Sequence, residues 1–153
     1  MTRRLRFLAA LTLTCVMVVV WSARVQQDVA AQANKPIKIT RIYTGSDGRT
    51  HAEETELALK STGSGAEQSE TLAVDSMRFA RTPPNQLSNW HNASRRQYVV
   101  TVSGRGEVEL EDGKKIPLDA EHSLLAEDLT GKGHLTRTFG SGDRVSMIIT
   151  LTK

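Results

Sequence analysis

The stretch "WHNASRRQYVVTVSGRGEVEL", residues 90–110, reads as a pair of strands carrying part of a metal-binding set. His91 is present, and Gln97 stands where an acid would serve. Within it "QYVVTVSG" is β-branched and aromatic, and the two-residue period of a strand puts Gln97, Val99 and Thr101 on one face. "GEVELEDGKKIPL" then predicts a hairpin with Asp112 and Gly113 at its tip. Working outward, "IKITRIYTG" alternates, with Ile37, Ile39 and Tyr43 on or near one face, and "SDGRT" supplies turn residues. "HAEETELAL" continues as a second strand, and "STGSGAEQSE", residues 61–70, is small and polar enough for a mobile loop. "SMRFARTPP", "HSLLAED", "HLTRTF" and "RVSMIITL" complete the series. No segment sustains a helical period over four turns. Eight or nine strands at this spacing predict an all-β single domain, a β-sandwich or small barrel.

At 153 residues the chain has room for one domain of ordinary size. The net charge of +3 sits in residues 1–33, where Arg3, Arg4, Arg6 and Arg24 face only Asp28. The remainder balances sixteen basic against sixteen acidic side chains, which argues against a nucleic-acid partner. Residues 1–33 have the pattern of a signal peptide: arginines precede an apolar run from Phe7 to Trp21, and "AQA" at Ala31 to Ala33 offers small residues for cleavage. At 15 residues that run is short for a spanning helix. The expectation is an exported protein, periplasmic or secreted, beginning near Asn34. The alternative is an uncleaved N-terminal membrane anchor, since the polar segment Ser22 to Asp28 sets the cleavage site far from the apolar run. Cys15, the only cysteine, lies in that run, and "TLTC" lacks the small residue that precedes a lipidated cysteine. The mature chain then has neither a disulfide nor a thiol nucleophile. It also lacks a Gly-rich phosphate loop and a nucleophile elbow.

From about Lys38 to Leu151 the order of motifs resembles the small single-domain bacterial cupins of the RmlC-like jelly-roll class. The segments that carry the resemblance are "WHNASRRQYVVTVSG" and "LLAEDLTGKGH", preceded by "IYTGSDGRTH" and "RTPP". It implies a cupin-type jelly-roll β-barrel over residues 34–153 with a site in its lumen. The class spans isomerases, dioxygenases, storage proteins and sensors, so the fold alone chooses none of them. The usual cupin site takes two His and a Glu from a first motif and one His from a second. Carried over, the first His falls at His91, the second at Ala93, the Glu at Gln97, the closing Gly at Gly104 and the last His at His134.

Gln97 in place of a carboxylate leaves a divalent cation without first-shell neutralisation, and the loss of a second histidine leaves two strong donors where open sites want three. A weakly held divalent metal on His91, Gln97 and His134, with His51 swinging in, is the cofactor an enzymatic reading calls for. Without a metal, His91 or His134 is available as a general base. Trp90 reads equally as core or as a stacking surface for a planar ligand. Arg95 and Arg96 are expected to be solvated or paired with the acids of "GEVELED", and His122 to sit in a surface turn. The candidate ligand-binding residues are therefore His51, Trp90, His91, Gln97 and His134. The leading expectation is an exported protein with a polar pocket for a small molecule, its activity undecided. The runner-up is a metal-dependent enzyme of the dioxygenase or isomerase type. A third reading is an envelope protein using the domain as a rigid structural unit or homodimer. Convergence of His91, Gln97 and His134 favours the second reading, and their separation by apolar packing the third.

Overall fold

The computed structural model describes residues 36–152. The leader readings, Cys15 and the cleavage motif included, lie outside the described residues. Eleven strands and no helix occur among those residues, so among them there is no helix long and apolar enough to cross a membrane. The strands are β1 (Lys38–Thr44), β2 (Thr50–Glu56), β3 (Lys60–Ser61), β4 (Glu67–Gln68), β5 (Val74–Thr82), β6 (Gln97–Ser103), β7 (Arg105–Glu109), β8 (Lys115–Leu118), β9 (Ser123–Glu127), β10 (Leu135–Phe139) and β11 (Arg144–Leu151).

They form a six-stranded sheet in the order β2-β1-β9-β6-β11-β5, a three-stranded sheet β10-β7-β8, and the short hairpin β3-β4. Backbone hydrogen bonds do not link the sheets into a closed barrel. All pairings are antiparallel except β1 with β9, where Ile39 lies opposite Ser123 and Tyr43 opposite Glu127. The β7-β8 hairpin turns where its sequence predicts, with Gly113 at φ 82°. The segment expected to be a mobile loop, residues 61–70, instead forms, with Lys60, the hairpin β3-β4, in which Lys60 pairs with Gln68 and Ser61 with Glu67. Thr62 closes its turn, since the Thr62 hydroxyl and backbone N–H both donate to the Ala66 carbonyl.

The main core lies between the two larger sheets. Ile42, Leu124 and Ala126 come from the first, Val108, Ile116 and Leu118 from the second, joined by Ala93 and Leu110. A smaller cluster of Ile39, Leu125 and Leu151 covers part of the outer face of the large sheet. The face of β1 that Ile39 shares with Tyr43 is thus the outer one. Ile42, on the opposite face, is fully buried, while Ile37 is half exposed, because the three-stranded sheet covers the Ile42 side.

Alternation on two strands runs opposite to the usual arrangement. On β11 the polar set Arg144, Ser146 and Thr150 is buried, while Val145, Met147 and Ile149 on the other face are only half buried. Beside it on β5, Arg78, Ala80 and Thr82 line the interior and Phe79 is 63% exposed. A strand that hides its polar residues and shows its apolar ones gives the interior a polar side next to its hydrophobic core.

Candidate functional site

Behind these strands lies a cavity of about 290 Å³, its polar lining set against the core residues Val108, Leu118, Leu124 and Ala126. His91, Gln97 and His134, which lie far apart in the chain, all line it. Gln97 opens β6 on the inner face, opposite Ala126 and Thr150. His91 and His134 are held by the backbone: each N–H donates to the other residue's carbonyl, at 3.0 and 2.9 Å, in an isolated antiparallel bridge. Their rings stand 4.5 Å apart between centroids and are tilted by 55°. Gly133 makes this crossing feasible. Its φ is +78°, and a Cβ there would lie 2.0 Å from the His91 carbonyl oxygen.

Both rings are anchored through Nδ1. The Nδ1–H of His91 donates to the Asn89 carbonyl at 2.8 Å, and since a carbonyl only accepts, that nitrogen carries the hydrogen. The Nδ1–H of His134 donates at 2.6 Å to Oδ2 of Asp128, which has no solvent exposure. In their neutral forms both imidazoles therefore keep the Nε2 lone pair for an occupant of the cavity they line. Gln97 contributes an unmet demand: its Oε1 is buried and accepts no hydrogen bond among the described residues. Such an atom costs about 1–3 kcal/mol when left unpaired.

The structure separates the other candidates from this cavity. The imidazole of His51 is exposed, bonded to Asp47 through Nε2 at 2.9 Å and tilted against Tyr43. That contact, through hydrogen bonding first, holds the Asp47 carboxyl below its ordinary value. Trp90 is half buried, with the Lys132 ammonium 4.1 Å from its ring centroid, and does not line the cavity. His122 lies in an exposed turn with its Nδ1 on Asp119. Arg95 and Arg96 are paired, but not with the hairpin acids: Arg95 meets Asp75 at 2.6 Å and Arg96 meets Glu127. Glu107 and Glu109 lie instead beside Lys115 and Arg137, their neighbours in the three-stranded sheet.

Glu127 receives Arg41 as well as Arg96, and Arg41 also reaches Glu53 at 2.8 Å. Burial alone would push the Glu127 carboxyl up, but the hydrogen bonds from the two guanidiniums outweigh it and the group lies below its ordinary value. A larger cleft of about 700 Å³ opens nearby, lined by Asp75, Arg95, Arg96 and Leu151 among others. It contains no histidine, and its cations already have carboxylate partners.

Two residues of the histidine-lined cavity escaped the motif reading. Arg144, 5% exposed, and Arg78 both line it, whereas no carboxylate does among the described residues. The signal lay in "RVSMIITL", where Arg144 shares the face of Ser146 and Thr150. Apolar inward packing, the ordinary assumption, would have put that face in solvent. The donor set does not suit a firmly held divalent cation. It has two imidazoles and a neutral amide oxygen, no group of three or more His, Cys, Asp or Glu among the described residues, and two fixed positive charges in the same wall.

No protein-family model matches the chain, and comparison with curated proteins finds no match. The cupin resemblance therefore rests on the motifs quoted above.

Proposed function

We propose that this is an exported, cupin-type jelly-roll protein whose inner cavity binds a small polar molecule through His91, Gln97 and His134. One observation carries the reading: a buried amide oxygen without a donor faces the same cavity as two imidazoles whose Nδ1 atoms are already engaged. Buried polar groups left unpaired in a native fold call for a partner from outside it. A ligand hydroxyl or amine that reaches Gln97 Oε1 removes that cost. The His91 and His134 Nε2 atoms accept further hydrogen bonds, and either ring can take a proton from a bound group. The convergence of the three residues speaks against a purely structural role, and the donor set speaks for a ligand without a metal.

The test is thermal-shift screening of the mature chain against neutral and charged polar metabolites, repeated on Gln97→Leu. Compounds that stabilise the wild type and lose that effect in Gln97→Leu are expected. A screen in which nothing stabilises the wild type, or in which every hit acts equally on Gln97→Leu, would overturn the reading.

A further inference from the structure

Arg144 is a buried cation with no counter-charge. Its Nε and Nη2 donate at 3.1 and 2.9 Å to a single acceptor, the Thr101 hydroxyl, and among the described residues it makes no ion pair. Burial lowers its pKa, and no charged neighbour contributes to the shift. An arginine is almost never buried without a carboxylate, because a neutral hydroxyl does not repay its desolvation. The strand arrangement imposes the burial: Arg144 lies opposite Thr82 of β5, beyond a register shift between Val145 and Ser146 that sets Ser146 opposite Thr101 of β6. The other charged residue of the lining, Arg78, is also an arginine.

We infer that the ligand of this cavity is a small carboxylate and that Arg144 is its counter-ion. This rests on the binding role proposed above for the same cavity. Thr101 takes up the Nε side of the guanidinium, which leaves the Nη1/Nη2 end, a planar pair of donors that matches the two oxygens of a carboxylate. Arg78, solvent-exposed on the adjacent strand, adds attraction for the anion on entry. The cavity is smaller than the roughly 300–1,000 Å³ of sites for drug-sized ligands, so the acid is a compact one. Gln97 Oε1 requires a donor, which a hydroxyl group on the same molecule supplies. The ligand class is a small hydroxy-substituted carboxylic acid.

The experiment is calorimetric titration of lactate, glycolate, malate and salicylate, and of the corresponding neutral amides, into wild type, Arg144→Met and Arg144→Lys at constant ionic strength. At least one acid is expected to bind the wild type saturably while its amide does not. Arg144→Met should weaken that binding by about tenfold to a hundredfold, as loss of a charge-assisted hydrogen bond predicts. Arg144→Lys, which keeps the charge and loses the fork, should fall between. Without ligand, Arg144→Met should melt no lower than the wild type, since removing an uncompensated buried charge is neutral or stabilising. Amides binding as well as acids and equally to Arg144→Met would overturn the carboxylate inference while leaving the cavity a binding site. Failure of every acid to distinguish wild type from Arg144→Met would overturn it too. A large loss of stability in ligand-free Arg144→Met would show Arg144 to be structural and likewise overturn it.

Discussion

Replacing Gly133 by alanine should dismantle the His91–His134 bridge, and a second glycine supplies the control. Gly133 and Gly113 have nearly the same backbone, with φ of 78° and 82°. An L-residue in that conformation costs about 1–2 kcal/mol at either site. Nothing lies within 4 Å of a Cβ at Gly113, so Gly113→Ala should cost that and no more. At Gly133 the added carbon would sit 2.0 Å from the His91 carbonyl oxygen and 2.8 Å from the Asn92 nitrogen. Both are backbone atoms that no side-chain rotation can move. The two segments must part, and with them go the two bridging hydrogen bonds, each worth about 1 kcal/mol net. Gly133→Ala should therefore destabilise the protein by about 3–4 kcal/mol, roughly 2 more than Gly113→Ala. Urea denaturation of both variants measures the difference, and hydrogen exchange at the His91 and His134 amides locates it. Equal losses in the two variants, with both amides still protected, would refute the reasoning.

Further outcomes are expected elsewhere. Because the Glu127 carboxyl lies below its usual 4.5 in the folded state, the stability it contributes is complete above that value and drains away as pH falls through the lower folded one. The stability gap between wild type and Glu127→Gln should thus be widest near about pH 7 and shrink by about pH 3, and a gap constant across denaturant titrations over that range would contradict the Arg41–Glu127–Arg96 account. Gln97→Glu should bind divalent cations at least about tenfold more tightly than wild type, as restored neutralisation predicts. Calorimetry with Zn, Ni and Fe(II) after chelator treatment checks this, with His134→Ala as control, and tight wild-type binding abolished in that control would reinstate the metal enzyme. N-terminal sequencing of protein from the native envelope should read from near Asn34, whereas Met1 retained in a membrane fraction would establish the anchor.

Local signals made most strands legible. β-branched runs such as "QYVVTVS" and the Asp112–Gly113 tip act over a few residues, and so they can be read in one sequence. The placement of Gln97, Val99 and Thr101 on one inner face followed from the same two-residue period. What could not be read depends on which face the rest of the chain covers. Both faces of β1 carry isoleucine, and only the three-stranded sheet makes Ile42 rather than Ile39 the one that enters the main core. Arg144 was invisible for a stronger reason: its strand has an apolar face of Val145, Met147 and Ile149 that any pattern argument turns inward. The histidine motif led to the cavity that His91, Gln97 and His134 line together, but the two arginines of its wall, Arg78 and Arg144, lie outside every motif.

The parallel pairing of β1 with β9 has a consequence in time. Ile39 must find Ser123, and the chain between them also holds β2, β5 and β6, three of the six strands of the large sheet. A nascent chain emerges at about 5–20 residues per second, so the first strand waits roughly 4–17 seconds for the partner on its inner side. Until then it has only the β2 hairpin, and a lone two-stranded hairpin is marginal in water. Pairings of such wide sequence separation also close slowly once their partners exist. The large sheet therefore cannot be completed until β9 and β11 have been made, and its first strand is the part of the fold that stays longest without an inner neighbour.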